Sequence, residues 1–122
     1  LDLTTVVAGP LATLVLAQQG ARVIKVETKE GDSVRRLGTI RAPGMSSTFV
    51  ALNAGKESVV LDFGRAEDRE VLLALAERAD VLIENFRPGV MERNGFGYAT
   101  LAVRNPGLVY CSISGYGQTG PY

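Results

Sequence analysis

After the apolar Val81, Leu82 and Ile83, the sequence places Asn85, Phe86, Arg87, Pro88, Gly89 and Arg93 close together in one turn. Pro and Gly alone suffice to turn a chain. An amide, an aromatic face and two guanidinium groups added to that turn make a surface suited to a phosphorylated, ring-containing ligand, with the arginines as fixed charges. The same residues read equally well as a solvated arginine pair with Phe86 in the core. A second feature stands in "TTVVAGP", where small residues lead from a strand into a helix. Its first turn has no acid and no capping side chain, which leaves backbone N–H groups free to meet an anion. A tight helix entry at Ala8, Gly9 and Pro10 is the plainer reading. Lys56, just before a strand in "NAGKES", either reaches the same rim or is an ordinary surface lysine. Glu84 reads as a sheet-end carboxylate or an arginine partner.

Composition narrows the chemistry further. The chain of 122 residues has no histidine and a single cysteine, Cys111. That excludes Ser-His-Asp and Cys-His catalysis, the usual zinc ligands and any disulfide within the chain, so no metal site is expected. Cys111 sits in an apolar run and is expected to be a small buried residue. Thirteen basic residues balance thirteen acidic ones, leaving no net field for nucleic acid or an anionic membrane surface. The expected partner is a small molecule. No apolar run approaches the roughly 20 residues of a membrane span, and no leader pattern is visible. The opening "LDLTTVV" lacks a Met and already reads as a strand, which suggests a trimmed start; the lone thiol suits a reducing, cytoplasmic setting.

The elements that must position these groups alternate strand with helix. "LDLTTVV" reads as a strand, "GPLATLVLAQQG" as a helix with Pro10 in its first turn and Gly20 at its end, and "RVIKVE" as a strand. "ESVVLDF" is the next strand. "AEDREVLLALAERA" follows as a helix, with Val71, Leu72, Leu75 and Ala79 on its apolar face and Glu67 and Asp68 at its start. "DVLIENF" and "LVYCSIS" complete five strands, and "GVMERNGFGYATLAVRN" between them predicts two short helices broken at residues 95–97 and stopped by Asn105-Pro106. The fold class is α/β, a Rossmann-like, mostly parallel sheet with flanking helices. Residues 28–55 lack sustained periodicity and read as a long functional loop crossing the carboxyl ends of the strands. In open α/β sheets ligands bind at those ends.

One pattern misleads. "GYGQTG", residues 115–120, matches G-x-G-x-x-G after a strand, and Glu27 ends another strand where a ribose-binding acid could stand. The context fails, because Pro121 stands where the helix should open and Glu27 belongs to the first βαβ unit, whose turn is "AGP".

Taken in order and spacing, "LDLTTVVAGPLATLVLAQQGARVIKVE", "LNAGKESVVLDF" and "ADVLIENFRPGVMERNGFGYATLAVRNPGLVYCSISGYGQTGPY" resemble the amino-terminal part of the class III coenzyme A transferases, the CaiB/BaiF family. Formyl-CoA transferase, carnitine CoA-transferase and α-methylacyl-CoA racemase belong to it. The resemblance spans nearly the whole chain, and "ENFRPGVMERNGFGY" with "SISGYGQTGPY" is its most specific part.

The resemblance implies that residues 1–122 form a partial CoA-binding α/β domain that stops before the family's catalytic region. It implies CoA contacts from Val6, Val7 and Ala8 after the first strand, and from Asn85, Phe86, Pro88 and Gly89 in the turn. Arg93 would be a phosphate partner and Lys56 a lysine beside the site. CoA or acyl-CoA would be substrate, with no permanently bound cofactor, and a carboxylic acid would be the acceptor. Full-length relatives form interlocked homodimers. The family's nucleophilic aspartate lies downstream of "GYGQTGP", so no catalytic residue is assigned here. Thr28 and Glu57 stand where relatives have arginines. Two alternatives accompany the transferase reading: a 2-methylacyl-CoA racemase fragment, distinguished by a downstream His, and a non-catalytic CoA-binding module.

Overall fold

The computed structural model describes residues 1–121. Its elements follow the chain as α1 (Ala8–Gln18), β1 (Ile24–Glu27), a 3-10 helix (Ser33–Arg36), β2 (Ile40–Ala42), β3 (Met45–Ser46) and α2 (Ser47–Asn53). Then come β4 (Glu57–Val60), α3 (Ala66–Glu77), β5 (Val81–Glu84), α4 (Val90–Arg93), α5 (Tyr98–Arg104) and β6 (Val109–Ser112). β1 pairs with β4 and β5 with β6, both in parallel. Asp2 joins the two pairs by bridging Lys25 on one side and Ile83 on the other. The order is therefore β4, β1, residues 1–3, β5, β6. The chain's direction across the sheet reverses beside residues 1–3, which puts a topological switch point between them and β5.

The opening strand is shorter than the seven apolar and small residues of "LDLTTVV" predict. Leu1, Asp2 and Leu3 donate into the sheet, to the Val81 carbonyl at 2.5 Å and to the Ile24 and Ile83 carbonyls at 2.9 Å each, and the chain then leaves it to form the turn into α1. That helix ends as its sequence predicts, with Gly20 at φ 97°, a conformation open to glycine at little cost. Gly9 has a different task. A Cβ there would lie 2.2 Å from Thr4 Cβ, so a bare Cα lets α1 press directly on the strand end.

The two faces of the sheet are chemically different. Successive strand residues point to opposite sides, and Leu3, Val26 and Leu82 face a core completed by Leu72 and Ala76 of α3, Met91 of α4, Leu101 of α5, and Phe96 and Leu108. Each buried Leu there contributes about 1.5–3 kcal/mol over an exposed one. In α3 the buried stripe is Leu72 and Ala76; Val71, expected inside, is exposed because one residue turns the helix by about 100°. The opposite face carries Asp2, Lys25 and Glu27, all buried, beneath α1, which packs on α2. Right-handed crossovers running in opposite directions along the sheet account for helices on both faces.

Two expectations need correction. Residues 28–55 are not a featureless loop, since the 3-10 helix, the β2–β3 hairpin and α2 fall inside them. Their order comes from side-chain bonds, such as Ser46 Oγ to the Val34 carbonyl and Asp32 N–H to Glu27 Oε1 at 2.9 Å, which no helix or strand periodicity reveals. The segment does lie at the carboxyl end of β1. Cys111 is exposed, not buried. β6 is a border strand among the described residues, and its outward positions Val109 and Cys111 have no helix over them, so an effect of Cys111→Ala on core packing is not expected. Among the described residues no helix is long and apolar enough to cross a membrane.

Candidate functional site

The turn after residues 1–3 is held by side chains from distant parts of the sequence. Lys25 Nζ donates to the Thr4 carbonyl at 2.7 Å. Asn85 takes both polar groups of Thr5: its Oδ1 accepts from the Thr5 N–H and its Nδ2 donates to the Thr5 carbonyl, each at 2.9 Å. Val6 N–H donates to Asp32 Oδ1 at 3.2 Å. Within this grip Val6 stands at φ 70°. A β-branched residue in the left-handed region costs on the order of 1–3 kcal/mol, and such conformations concentrate where structure serves function. The next residues open α1, which has no side-chain cap and no acid in its first turn. The uncapped, acid-free helix start read from "AGP" is therefore present.

Across the switch point, β5 ends in Glu84 and the chain turns. Glu84 is buried and accepts from the Phe86 N–H at 2.8 Å and from Ser112 Oγ, so it is the sheet-end carboxylate and has no arginine partner among the described residues. Gly89 caps α4 at φ 79°, a conformation that only glycine takes without strain. The Arg93 guanidinium folds against it: Nη1 would be 2.8 Å from a Cβ at Gly89. A cleft of about 460 Å³ lies here, walled by Ala8, by Asn85, Phe86, Arg87 and Pro88, and by Ile113, Ser114 and Gly115. It opens at the carboxyl ends of the strands. A larger cavity, about 590 Å³, lies at the opposite end among Leu16, Val23, Leu75 and Ala79, away from the Asn-Phe-Arg-Pro turn.

The structure thus gathers Ala8, Asn85, Phe86 and Pro88 around one cleft, with Val6 and Val7 exposed on the turn beside it. Gly89 and Arg93 lie just outside the lining, and Arg87 lies in it. Lys56 is elsewhere. Its side chain is 1% exposed, and its ammonium donates to Asp2 Oδ2 at 2.9 Å, the Pro10 carbonyl at 2.9 Å and Asn53 Oδ1 at 2.8 Å. All three of its donors are taken, so it does not reach an open rim. Burial pulls its pKa down, and the Asp2 carboxylate offsets only part of that. Asn85 likewise has its amide committed to Thr5. Glu57 meets Arg22 in two exposed contacts of 2.7 and 2.9 Å.

Sequence reasoning missed the ionic layer behind the cleft. Asp2 accepts from the Thr4 N–H at 2.9 Å, the Thr4 hydroxyl, the Thr13 hydroxyl at 2.7 Å and Lys56. Burial alone would raise its pKa; the Thr13 and Thr4 bonds and the nearby lysines outweigh that and lower it. Lys25 Nζ stands 3.2 Å from Asp32 Oδ2. Glu27 binds Arg35 Nε at 2.8 Å, the Asp32 N–H and the Ser58 hydroxyl. The available signal is a charge at inward positions of short strands, Asp2 in "LDL" and Lys25 with Glu27 in "IKVE".

The sequence pattern of CoA-transferase family III matches residues 1–122. The chain belongs to that family. An acetyl-CoA:oxalate CoA-transferase of Acetobacter aceti is 49% identical over 122 residues, covering 99% of this chain and 31% of that protein. A succinyl-CoA:mesaconate CoA-transferase of Haloarcula hispanica is 48% identical, over 97% of this chain and 31% of its own length. The crystal structure of a CaiB/BaiF family protein from Brucella suis superposes with a TM-score of 0.93 at 44% identity, over 98% of this chain and 33% of that one. This family III chain spans about a third of the length of the curated relatives it matches.

Proposed function

We propose that residues 1–122 form a Rossmann-like, CoA-binding part of an enzyme that transfers coenzyme A between carboxylic acids. The observation that carries this reading is the switch-point cleft, set between the strained Val6 turn and the Asn85 turn in a chain matched throughout by the family. An acyl-CoA would lay its phosphates across the open start of α1 near Arg87 and Arg93, with Phe86 and Pro88 against its apolar portions. Thr5 and Val6 are fixed by Asn85 and Asp32, so the backbone that meets the ligand is preorganised.

Transfer through an aspartyl intermediate needs a carboxylate placed against the thioester. None of the five aspartates of this chain lines the cleft. Asp2 and Asp32 are buried in ion pairs, Asp62 and Asp68 are tied together at the start of α3, and Asp80 precedes β5 at the far end of the sheet. The nucleophile therefore belongs to a part of the enzyme outside these residues. The acceptor is a carboxylic acid, and the working assembly a cytoplasmic, interlocked dimer.

Calorimetric titration tests the binding half. CoA should bind weakly, with affinity that falls as salt screens the phosphate contacts. Arg93→Ala should remove about 1.5–3 kcal/mol, the worth of a charge-assisted hydrogen bond. An unchanged affinity in that variant would take Arg93 out of the site.

A further inference from the structure

We infer that Asp32 is a positioning residue for the cleft, holding the Val6 turn in the conformation that presents the start of α1 to the ligand. The inference rests on the CoA-binding reading above and deepens it. Among the described residues, four side chains hold the turn or the strand end before it, and of these Asp32 alone bonds to the strained residue itself, through the Val6 N–H at 3.2 Å. Lys25 and Asn85 act two and one residues earlier, on Thr4 and Thr5, and Asp2 holds the Thr4 N–H.

The simpler account makes Asp32 only the cap of the 3-10 helix Ser33–Arg36, since its side chain accepts from the Val34 N–H at 3.1 Å. A cap explains one oxygen and an exposed position. It does not explain why Asp32 is 1% exposed, nor why a buried lysine faces its other oxygen at 3.2 Å. That second oxygen has no hydrogen bond, so the Lys25 contact is one of charge. A buried carboxylate is costly unless paired, and Lys25 supplies the pairing from the adjacent strand. Glu27, two residues along and on the same face, fixes the Asp32 backbone through its N–H at 2.9 Å. Asp32 is therefore pinned on its backbone and on one oxygen while its other oxygen reaches across to Val6. A side chain so restrained can oppose the tendency of Val6 to relax to negative φ.

Two readouts on the 122-residue chain separate this role from a structural one. In Asp32→Ala the Val6 amide should lose its hydrogen-bonded proton shift and its exchange protection. CoA affinity should fall about tenfold, the scale of one lost hydrogen bond and its preorganisation. Asp32→Asn keeps an acceptor for the Val6 N–H and should restore affinity to within about threefold, on the same scale. Leu72→Ala, a core truncation far from the turn, should lower stability without moving affinity. Should Asp32→Ala fail to fold, Asp32→Asn decides: a folded Asn variant whose Val6 amide is unbonded, or whose affinity falls tenfold or more, overturns the inference. Unchanged affinity in folded Asp32→Ala also overturns it while leaving the CoA reading standing. No saturable CoA binding by the unsubstituted chain overturns that reading, and the ligand role of Asp32 with it.

Discussion

Lys56→Met should lower the stability of the folded chain by about 3–5 kcal/mol, the usual cost of removing one partner of a buried ion pair. Methionine keeps the four-atom stem of lysine and lacks only the ammonium, so the loss would be chiefly electrostatic. The Asp2 carboxylate, 0% exposed, would keep its Thr4 and Thr13 bonds but lose the ammonium at 2.9 Å. The Pro10 carbonyl and Asn53 Oδ1 would lose their donor as well. Urea unfolding followed by circular dichroism would read the shift. Arg22→Met, which breaks only an exposed pair with Glu57, serves as the control and should leave the midpoint nearly in place. A wild-type midpoint in Lys56→Met, together with weakened CoA binding, would return Lys56 to the ligand and contradict the buried role derived from its three bonds.

Acid should destabilise the chain through Glu27. Burial pushes its carboxyl up, but the Arg35 guanidinium, the Asp32 N–H and the Ser58 hydroxyl outweigh burial and hold the pKa at about 2, against 4.5 for the free side chain. The folded value is the lower one, so the stabilisation is fully present above about pH 4.5 and is lost as pH falls toward 2. At about 1.4 kcal/mol per pH unit the contribution is roughly 3 kcal/mol. Asp2, whose pKa is also lowered, acts in the same direction. Urea midpoints from pH 6 to pH 2 should show the gap between the unsubstituted chain and Glu27→Gln closing across that window. A gap independent of pH would mean that Glu27 does not titrate against Arg35.

Helices and turns with local chemistry are legible in the sequence. Gly20, Gly89 and Gly95 take positive φ where the pattern puts helix ends and turns, and α5 stops at Arg104, one residue before Asn105-Pro106. Residues 85–88 and Ala8 come together at the cleft because the alternation of strand and helix predicts which strand ends adjoin. What is not legible depends on partners far along the chain. Asn85 looks like a free amide until Thr5, eighty residues away, meets it. Lys56 looks like a surface lysine until Asp2, fifty-four residues earlier, closes beneath it. The order of residues 28–55 hangs on the side chains of Glu27, Asp32 and Ser46. Cys111 misleads for the opposite reason, since an apolar run says nothing about whether any element covers its second face.

Mapping CoA onto the backbone amides of the chain by NMR titration tests the central claim most directly, because two cavities at opposite ends of one sheet compete for the ligand. The account predicts saturable shifts at Val7, Ala8 and Gly9 and at Asn85, Phe86, Arg87 and Gly89, with Leu16, Val23 and Leu75 unmoved. Shifts confined to Leu16, Val23 and Leu75, or no saturable shift at any amide, would contradict it.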